Sequence, residues 1–72
     1  MRIGIVGGTG PAGSALAARL ADIGYEVVVG SRSKYRSMEV VDALIERWPE
    51  RELDILPSDN IGAAECEFVV IA

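Results

Sequence analysis

The chain has 72 residues, half of them hydrophobic and a quarter charged, which is the composition of one small folded domain rather than a disordered segment. Its formal net charge of −4 argues against nucleic acid as a general partner, and its apolar runs are too short to cross a membrane. A single cysteine, Cys66, and no histidine give neither an internal disulfide nor a Cys/His metal site, so we expect a reducing, cytoplasmic location and no metal.

A glycine-rich turn follows the first predicted strand. The apolar run Arg2–Val6 predicts a buried strand, and a helix with one apolar side is predicted to open at Pro11. Between the strand and the first turn of the helix, Gly8, Gly10 and Gly13 fit the pattern G-x-G-x-x-G. In a strand–turn–helix context this pattern is typical of a dinucleotide site.

The turn has the chemistry that a pyrophosphate needs. Gly8 permits a tight turn, Gly10 lets the backbone approach the phosphates, and Gly13 allows close packing of the helix. The backbone N–H groups at the helix start point outward, where the partial positive charge of the helix favours an anion. Thr9 adds a hydroxyl that reaches a phosphate or ribose oxygen. We therefore predict a pyrophosphate site, with a tight turn that binds no ligand as the alternative.

A second strand, predicted over residues 25–30, ends in a loop that carries basic side chains. An NAD site has an acidic residue here to accept from the ribose 2′-hydroxyl, whereas this chain has Ser31 and Arg32. Ser31 offers a donor to a phosphate, and Arg32 offers a planar guanidinium fork. Arg36 follows four residues later, on the same side of a helix. The loop predicts a 2′-phosphate site, and so NADP rather than NAD; a solvated basic loop is the alternative.

The rest of the chain predicts further helices and strands of the same sheet. A second amphipathic helix, which Pro49 ends, is predicted from an apolar stripe that we expect to lie in the core: Met38, Val41, Leu44, Ile45 and Trp48. A third strand is predicted over residues 53–56 and closed by Pro57, a short helix is capped by Asp59 or Asn60, and a buried fourth strand follows over residues 68–72. The predicted class is α/β: the N-terminal half of a Rossmann-type parallel sheet, in the order βαβαβ(α)β, with helices on both faces.

A buried fourth strand at the end of residues 1–72 leads us to expect the N-terminal part of an NADP-binding Rossmann domain, cut before the rest of the domain and any substrate domain. We expect this fragment alone to be inactive. It contains no Ser-His-Asp set, paired carboxylate site or metal cluster, and we assign it no catalytic residue. In hydride transfer the cofactor carries the chemistry and the protein supplies binding and orientation.

Three stretches resemble a known family. Residues 1–10, then Pro11-Ala12-Gly13, then residues 27–32 are similar to the N-terminus of NADPH-dependent F420 reductases, also called F420H2:NADP oxidoreductases. The most specific parts are Gly-Gly-Thr-Gly and Gly-Ser-Arg at this separation. The resemblance implies hydride transfer between the nicotinamide of NADP and the 5-deazaflavin of coenzyme F420, with a deazaflavin site further along the chain.

The resemblance also implies cofactor-binding residues. Those that line the pyrophosphate would be Thr9, Gly10, Pro11 and Ala12. Those that hold the 2′-phosphate would be Ser31 and Arg32, with Arg36 where the family has a basic residue, and Ala72 would end a strand beside the cofactor. Family members often have Asn-Leu in place of Pro11-Ala12, a departure that touches no glycine.

Two other functions stay open from the residues. One is an NADP-dependent reductase with a different acceptor. The other is a non-catalytic nucleotide sensor, because Gly7, Gly10 and Gly13 also satisfy the G-x-x-G-x-x-G spacing of short-chain dehydrogenases and their non-catalytic relatives. In each case the expected partners are a small-molecule cofactor and co-substrate, with no nucleic acid and no membrane, and we expect the full-length protein to be a homo-oligomer.

Overall fold

A computed structural model describes residues 1–72 as seven elements around one sheet. In chain order they are β1 (Arg2–Val6), α1 (Pro11–Asp22), β2 (Glu26–Ser31), α2 (Lys34–Arg47), β3 (Ile55–Asp59), α3 (Asn60–Ala64) and β4 (Phe68–Ile71). All strand pairs are parallel, and the strand order is β3-β2-β1-β4. The predicted α/β class and the half-Rossmann order of elements are confirmed.

One face of the sheet carries the main core. Residues of β1, β2 and β3 that point to this face pack against α1 and α2, because alternate residues of a strand share a face. The core comprises nine buried residues: Ile5, Ala17, Ala18, Ala21, Val27, Val29, Val41, Leu44 and Ile55. Three of the nine are alanines of α1, which bring this helix close to the strands.

The opposite face carries α3, which lies almost on the backbone of the strands. A Cβ atom added at Gly4 would lie 1.8 Å from the carbonyl oxygen of Ala63, and one added at Gly30 would lie 2.7 Å from the Ala63 Cβ. Both glycines therefore leave the space into which α3 fits. This contact brings the start of α3 close to the end of β2.

The third strand differs from its prediction. β3 runs through Pro57, which pairs with Val29, whereas Pro57 was expected to close the strand. β3 is an edge strand, and the Val27 N–H donates to the Asp54 carbonyl, so the even-numbered residues of β3 make the hydrogen bonds with β2. The N–H that Pro57 lacks would point away from β2, so its absence removes no hydrogen bond of the sheet. The prediction was wrong because an edge position depends on the order of strands, which local sequence does not reveal.

One expectation about burial was also wrong. In α2 the buried residues are Ser37, Val41 and Leu44, whereas Met38 and Ile45 are about 40% exposed because they lie at the sides of that stripe. In β4, a strand of apolar residues, the residues 68, 69 and 71 are exposed. β4 is the other edge of the sheet, and few residues cover it. None of the helices has both the length and the apolar character needed to cross a membrane.

Candidate dinucleotide site

The glycine turn and the basic loop meet at one edge of the sheet. Because all four strands are parallel, their carboxyl ends lie together. The Gly8 N–H donates to the Gly30 carbonyl at 2.9 Å, which joins the turn after β1 to the end of β2. On the other side, the Ala72 N–H donates to the Val6 carbonyl at 3.0 Å. The structure thus brings the two predicted phosphate-binding segments and Ala72 to one place.

Three glycines shape the turn in different ways. Gly7 has φ of +73°, the left-handed conformation that favours glycine, so Gly7 rather than Gly8 makes the reversal after β1. A Cβ atom at Gly8 would lie 3.0 Å from the Ile5 carbonyl oxygen, and one at Gly13 would lie 2.7 Å from the Gly8 Cα. The close packing expected at Gly13 is therefore made against the turn itself.

The start of α1 has free donors and free space. Gly10 is the N-cap and Pro11 the first helical residue, and no side chain caps this end. The first helical hydrogen bond runs from the Ser14 N–H to the Gly10 carbonyl at 2.9 Å, so the N–H groups of Ala12 and Gly13 have no partner in the chain. A Cβ atom at Gly10 would meet nothing within 4 Å. The arrangement suits an anion held by backbone donors.

Side chains around the turn divide into free and engaged groups. Pro11 and Ala12 are exposed, and Thr9 is half-buried with a hydroxyl that makes no hydrogen bond in the chain. The Ser14 hydroxyl, which the sequence did not single out, donates to the Gly10 carbonyl at 2.8 Å and lies 3.2 Å from the Gly8 carbonyl. Thr9 is thus available to a ligand, whereas Ser14 holds the turn.

Asn60 is a second residue at the turn that sequence reasoning missed in this role. Its side-chain oxygen accepts a hydrogen bond from the Gly7 N–H at 3.0 Å. The neighbouring Asp59 caps α3 and accepts from the Gly62 N–H at 2.8 Å, as the sequence predicted for one of these two residues. The sequence gives no local signal for the contact with Gly7, because the two residues belong to distant segments.

The basic loop carries unpaired positive charge. Arg32, Lys34 and Arg36 are exposed, and the two ion pairs of the chain, Arg2 with Glu26 and Arg51 with Asp22, lie elsewhere. Ser33 is the N-cap of α2, yet its hydroxyl caps no N–H group, so the first turn of α2 also has free donors. Exposed guanidinium groups beside free N–H groups favour a phosphate.

The Ser31 hydroxyl is engaged within the chain. Ser31 is buried at the end of β2, and its hydroxyl donates to the Ser33 carbonyl. The same oxygen accepts from the Ser33 N–H at 3.2 Å and from the Ser37 hydroxyl at 3.1 Å. Ser37 has no exposed surface, and no motif of the sequence marks it. These hydrogen bonds therefore fix the backbone of the loop around Arg32 from its buried side.

Cys66 lies away from this site. It precedes β4, so it lies near the amino ends of the strands, at the opposite edge of the sheet from the glycine turn. Burial raises the pKa of the Cys66 thiol above its ordinary value; Arg2 lowers the pKa, and Glu26 raises it further. A thiol with a raised pKa is a poor nucleophile at neutral pH.

Comparison with known proteins decides the family. A family model described as "NADP oxidoreductase coenzyme F420-dependent" matches residues 2–72. The chain belongs to this family. The resemblance inferred from Gly-Gly-Thr-Gly and Gly-Ser-Arg is therefore confirmed, and the parallel α/β sheet agrees with the fold that the resemblance implies.

Two relatives of the chain are both named F420-dependent NADP reductases. The one from Methanothermobacter marburgensis is 37% identical over 71 residues, which cover 99% of this chain and 32% of the relative. The one from Methanothermobacter thermautotrophicus is 32% identical over 71 residues, which cover 99% of this chain and 31% of the relative. The chain thus spans about a third of the length of these curated relatives.

Proposed function

We propose that residues 1–72 form the NADP(H)-binding part of a Rossmann domain in an oxidoreductase that transfers a hydride between NADPH and coenzyme F420. The observation that carries this proposal is the meeting of an uncapped helix start with an unpaired basic loop at one edge of the sheet, joined by the hydrogen bond from Gly8 to Gly30. Membership of the F420-dependent family supports the choice of both coenzymes.

The residues present fit the pyrophosphate of NADP. The free N–H groups of Ala12 and Gly13 would donate to its oxygens, and the open space at Gly10 would admit it close to the backbone. Thr9 would add its hydroxyl, and Pro11 would line the same surface without an N–H of its own. Gly8 would serve indirectly, because its position holds the turn against β1 and β2.

The basic loop fits the 2′-phosphate that distinguishes NADP from NAD. Arg32 and Arg36 would supply the positive charge, helped by Lys34 and by the free donors at the start of α2. Ser31 would contribute through the loop that it holds, since its single O–H donor is directed to the Ser33 carbonyl. The Ser33 hydroxyl is the free serine donor of this loop.

The role of this chain is to bind and orient. When bound, NADPH and coenzyme F420 supply the hydride donor and acceptor, and no proton transfer is assigned to a side chain of residues 1–72. Ala72 would lie beside the cofactor, since its N–H group is bonded to Val6 next to the glycine turn. We propose small molecules as the partners, a cytoplasmic location and a homo-oligomeric protein.

Two measurements on the intact protein test the proposal. Calorimetry is expected to give a dissociation constant for NADPH at least ~10-fold below that for NADH, a difference of about 1.4 kcal/mol. Equal constants would overturn the assignment of the 2′-phosphate to Arg32 and Arg36. A steady-state assay with NADPH is expected to reduce F420, with a flavin and a simple carbonyl compound as control acceptors. Reduction of a control acceptor in place of F420 would identify a reductase of another class.

A further inference from the structure

A buried serine lies under the basic loop. Ser37 has no exposed surface and lies in the stripe of α2 that also buries Val41 and Leu44. A hydroxyl placed among apolar side chains is unfavourable unless it makes a hydrogen bond. The Ser37 hydroxyl makes one, to the Ser31 hydroxyl at 3.1 Å. The contact joins the first turns of α2 to the end of β2.

All hydrogen-bonding positions of the Ser31 hydroxyl are occupied within the chain. A serine hydroxyl has one donor and two acceptor positions. Ser31 donates to the Ser33 carbonyl and accepts from the Ser33 N–H and from Ser37. Direct donation from Ser31 to a phosphate would therefore break a hydrogen bond that is already made. We call Ser31, Ser33 and Ser37 the serine cluster.

The serine cluster fixes the backbone on both sides of Arg32. Ser31 and Ser33 flank Arg32, and two of the three hydrogen bonds join them across it. The third bond anchors the pair to the buried side of α2. Arg32 is exposed and long, so a fixed backbone reduces the conformational entropy that its side chain and loop lose on binding an anion.

We propose that Ser37 is a positioning residue for selectivity toward the 2′-phosphate: through Ser31, it holds the loop in the conformation in which Arg32 meets that phosphate. The inference rests on the proposed function, in which Arg32 binds the 2′-phosphate of NADP. It differs from a direct contact because Ser37, which has no exposed surface, would affect a ligand that it does not touch.

A double-mutant cycle on the intact protein tests the inference. Dissociation constants for NADPH and NADH are measured by calorimetry for wild type, Ser37→Ala, Ser31→Ala and the double variant. Ser37→Ala is expected to weaken NADPH binding by about 5-fold, the effect of one lost hydrogen bond. Ser31→Ala, which removes all three hydrogen bonds of the cluster, is expected to weaken NADPH binding by at least as much, and both variants are expected to leave NADH binding within about twofold. The double variant is expected to lose no more than the larger single effect, because both residues act through one path.

Two further variants serve as controls. Ser14→Ala removes another serine hydrogen bond, to the Gly10 carbonyl near the pyrophosphate, and is expected to change NADPH and NADH binding equally. Ser37→Cys keeps a weak donor of similar size and is expected to give a selectivity between wild type and Ser37→Ala. Thermal unfolding by circular dichroism verifies that each variant is folded; where Ser37→Ala is not, Ser37→Cys decides the test.

The outcomes separate this inference from the proposed function. If wild type binds NADPH and NADH equally, or Arg32→Ala keeps the preference, the proposed function fails. If Arg32→Ala abolishes the preference while Ser37→Ala, or Ser37→Cys in its place, leaves it unchanged, only the role of Ser37 fails. If the fold-changes in NADPH affinity of Ser31→Ala and Ser37→Ala multiply in the double variant, the two residues act independently. That result would also overturn the role of Ser37.

Discussion

The backbone N–H of Gly7 donates to the side-chain oxygen of Asn60 at 3.0 Å, across 53 positions of the sequence. Gly7 is the residue of the turn with positive φ, and Asn60 is the first residue of α3. The glycine turn is therefore held by a side chain from the far end of the chain. Its conformation depends on α3 as well as on its own glycines.

Removal of this acceptor is expected to weaken both dinucleotides equally, because the pyrophosphate is common to NADPH and NADH. Asn60→Ala leaves the Gly7 N–H without its partner, so we expect about 1 kcal/mol lower stability and about 5-fold weaker binding. The matched control is Asp59→Ala, which removes the α3 cap at Gly62 but no contact with Gly7. Calorimetry measures the binding of each variant, and urea unfolding measures its stability. Equal NADPH affinity of Asn60→Ala and Asp59→Ala would contradict the role of Asn60.

Substitution of two glycines by alanine is expected to separate binding from folding. At Gly10, with φ of −74° and nothing within 4 Å of an added Cβ, alanine is expected to leave stability unchanged or slightly raised. The same methyl group is expected to weaken NADPH binding at least ~10-fold, because it would occupy the space of the pyrophosphate.

Gly13→Ala is expected to behave in the opposite way. Its Cβ would lie 2.7 Å from the Gly8 Cα, a backbone atom that cannot move aside without shifting the turn, so we expect destabilisation of about 1–3 kcal/mol. Urea unfolding of both variants, read with NADPH calorimetry, measures the contrast. Tight NADPH binding by Gly10→Ala would exclude the proposed position of the pyrophosphate.

Loss of the Arg32 guanidinium is expected to remove the preference for NADPH. A hydrogen bond to a charged group contributes about 1.5–3 kcal/mol, so Arg32→Ala should weaken NADPH by roughly 10- to 100-fold and leave NADH nearly unchanged. Arg19→Ala, at the far end of α1, is the control with the same change of charge. Competition calorimetry at two salt concentrations measures the effect, which should shrink as salt rises. An equal loss in both variants would point to net charge instead of a specific contact.

The thiol of Cys66 gives a prediction about pH. Burial raises the pKa of this thiol, so on raising the pH the unfolded chain loses the proton first. The contribution of the thiol to stability is then complete below the unfolded pKa and is lost as pH rises through the folded pKa. Alkylation by iodoacetamide should show a higher apparent pKa for the native protein than in urea. Cys66→Ser should reduce the fall of stability in that alkaline range, and an unchanged fall would contradict the assignment.

Local signals accounted for the elements that the sequence predicted well. β1 was predicted from its branched residues, α1 from Pro11 at the first helical position, and the start of α3 from a cap at Asp59 or Asn60, because each signal acts within a few residues. The continuation of β3 through Pro57 was missed because the order of strands, which local sequence does not reveal, places β3 at an edge of the sheet. The exposure of Met38 was missed because it depends on which side of α2 meets the sheet.

The candidate site was predicted in part for the same reason. The glycines and Arg32 follow motifs with fixed spacing, so the sequence alone predicts both candidate phosphate-binding segments. The contacts of Asn60 with Gly7 and of Ser37 with Ser31 join side chains through the folded structure, over 53 and 6 positions. No periodicity of the sequence encodes them. These two residues are where the structure adds most to the sequence.

The contacts of the glycine turn also impose an order on its assembly during synthesis. The turn lies within the first thirteen residues, yet one of its partners is Asn60, and the chain beside it is bonded to Ala72. A ribosome therefore releases the turn long before it releases the residues that hold it. These hydrogen bonds are complete only when the residues through Ala72 have been translated, so nucleotide capture by a nascent chain is expected only after that point.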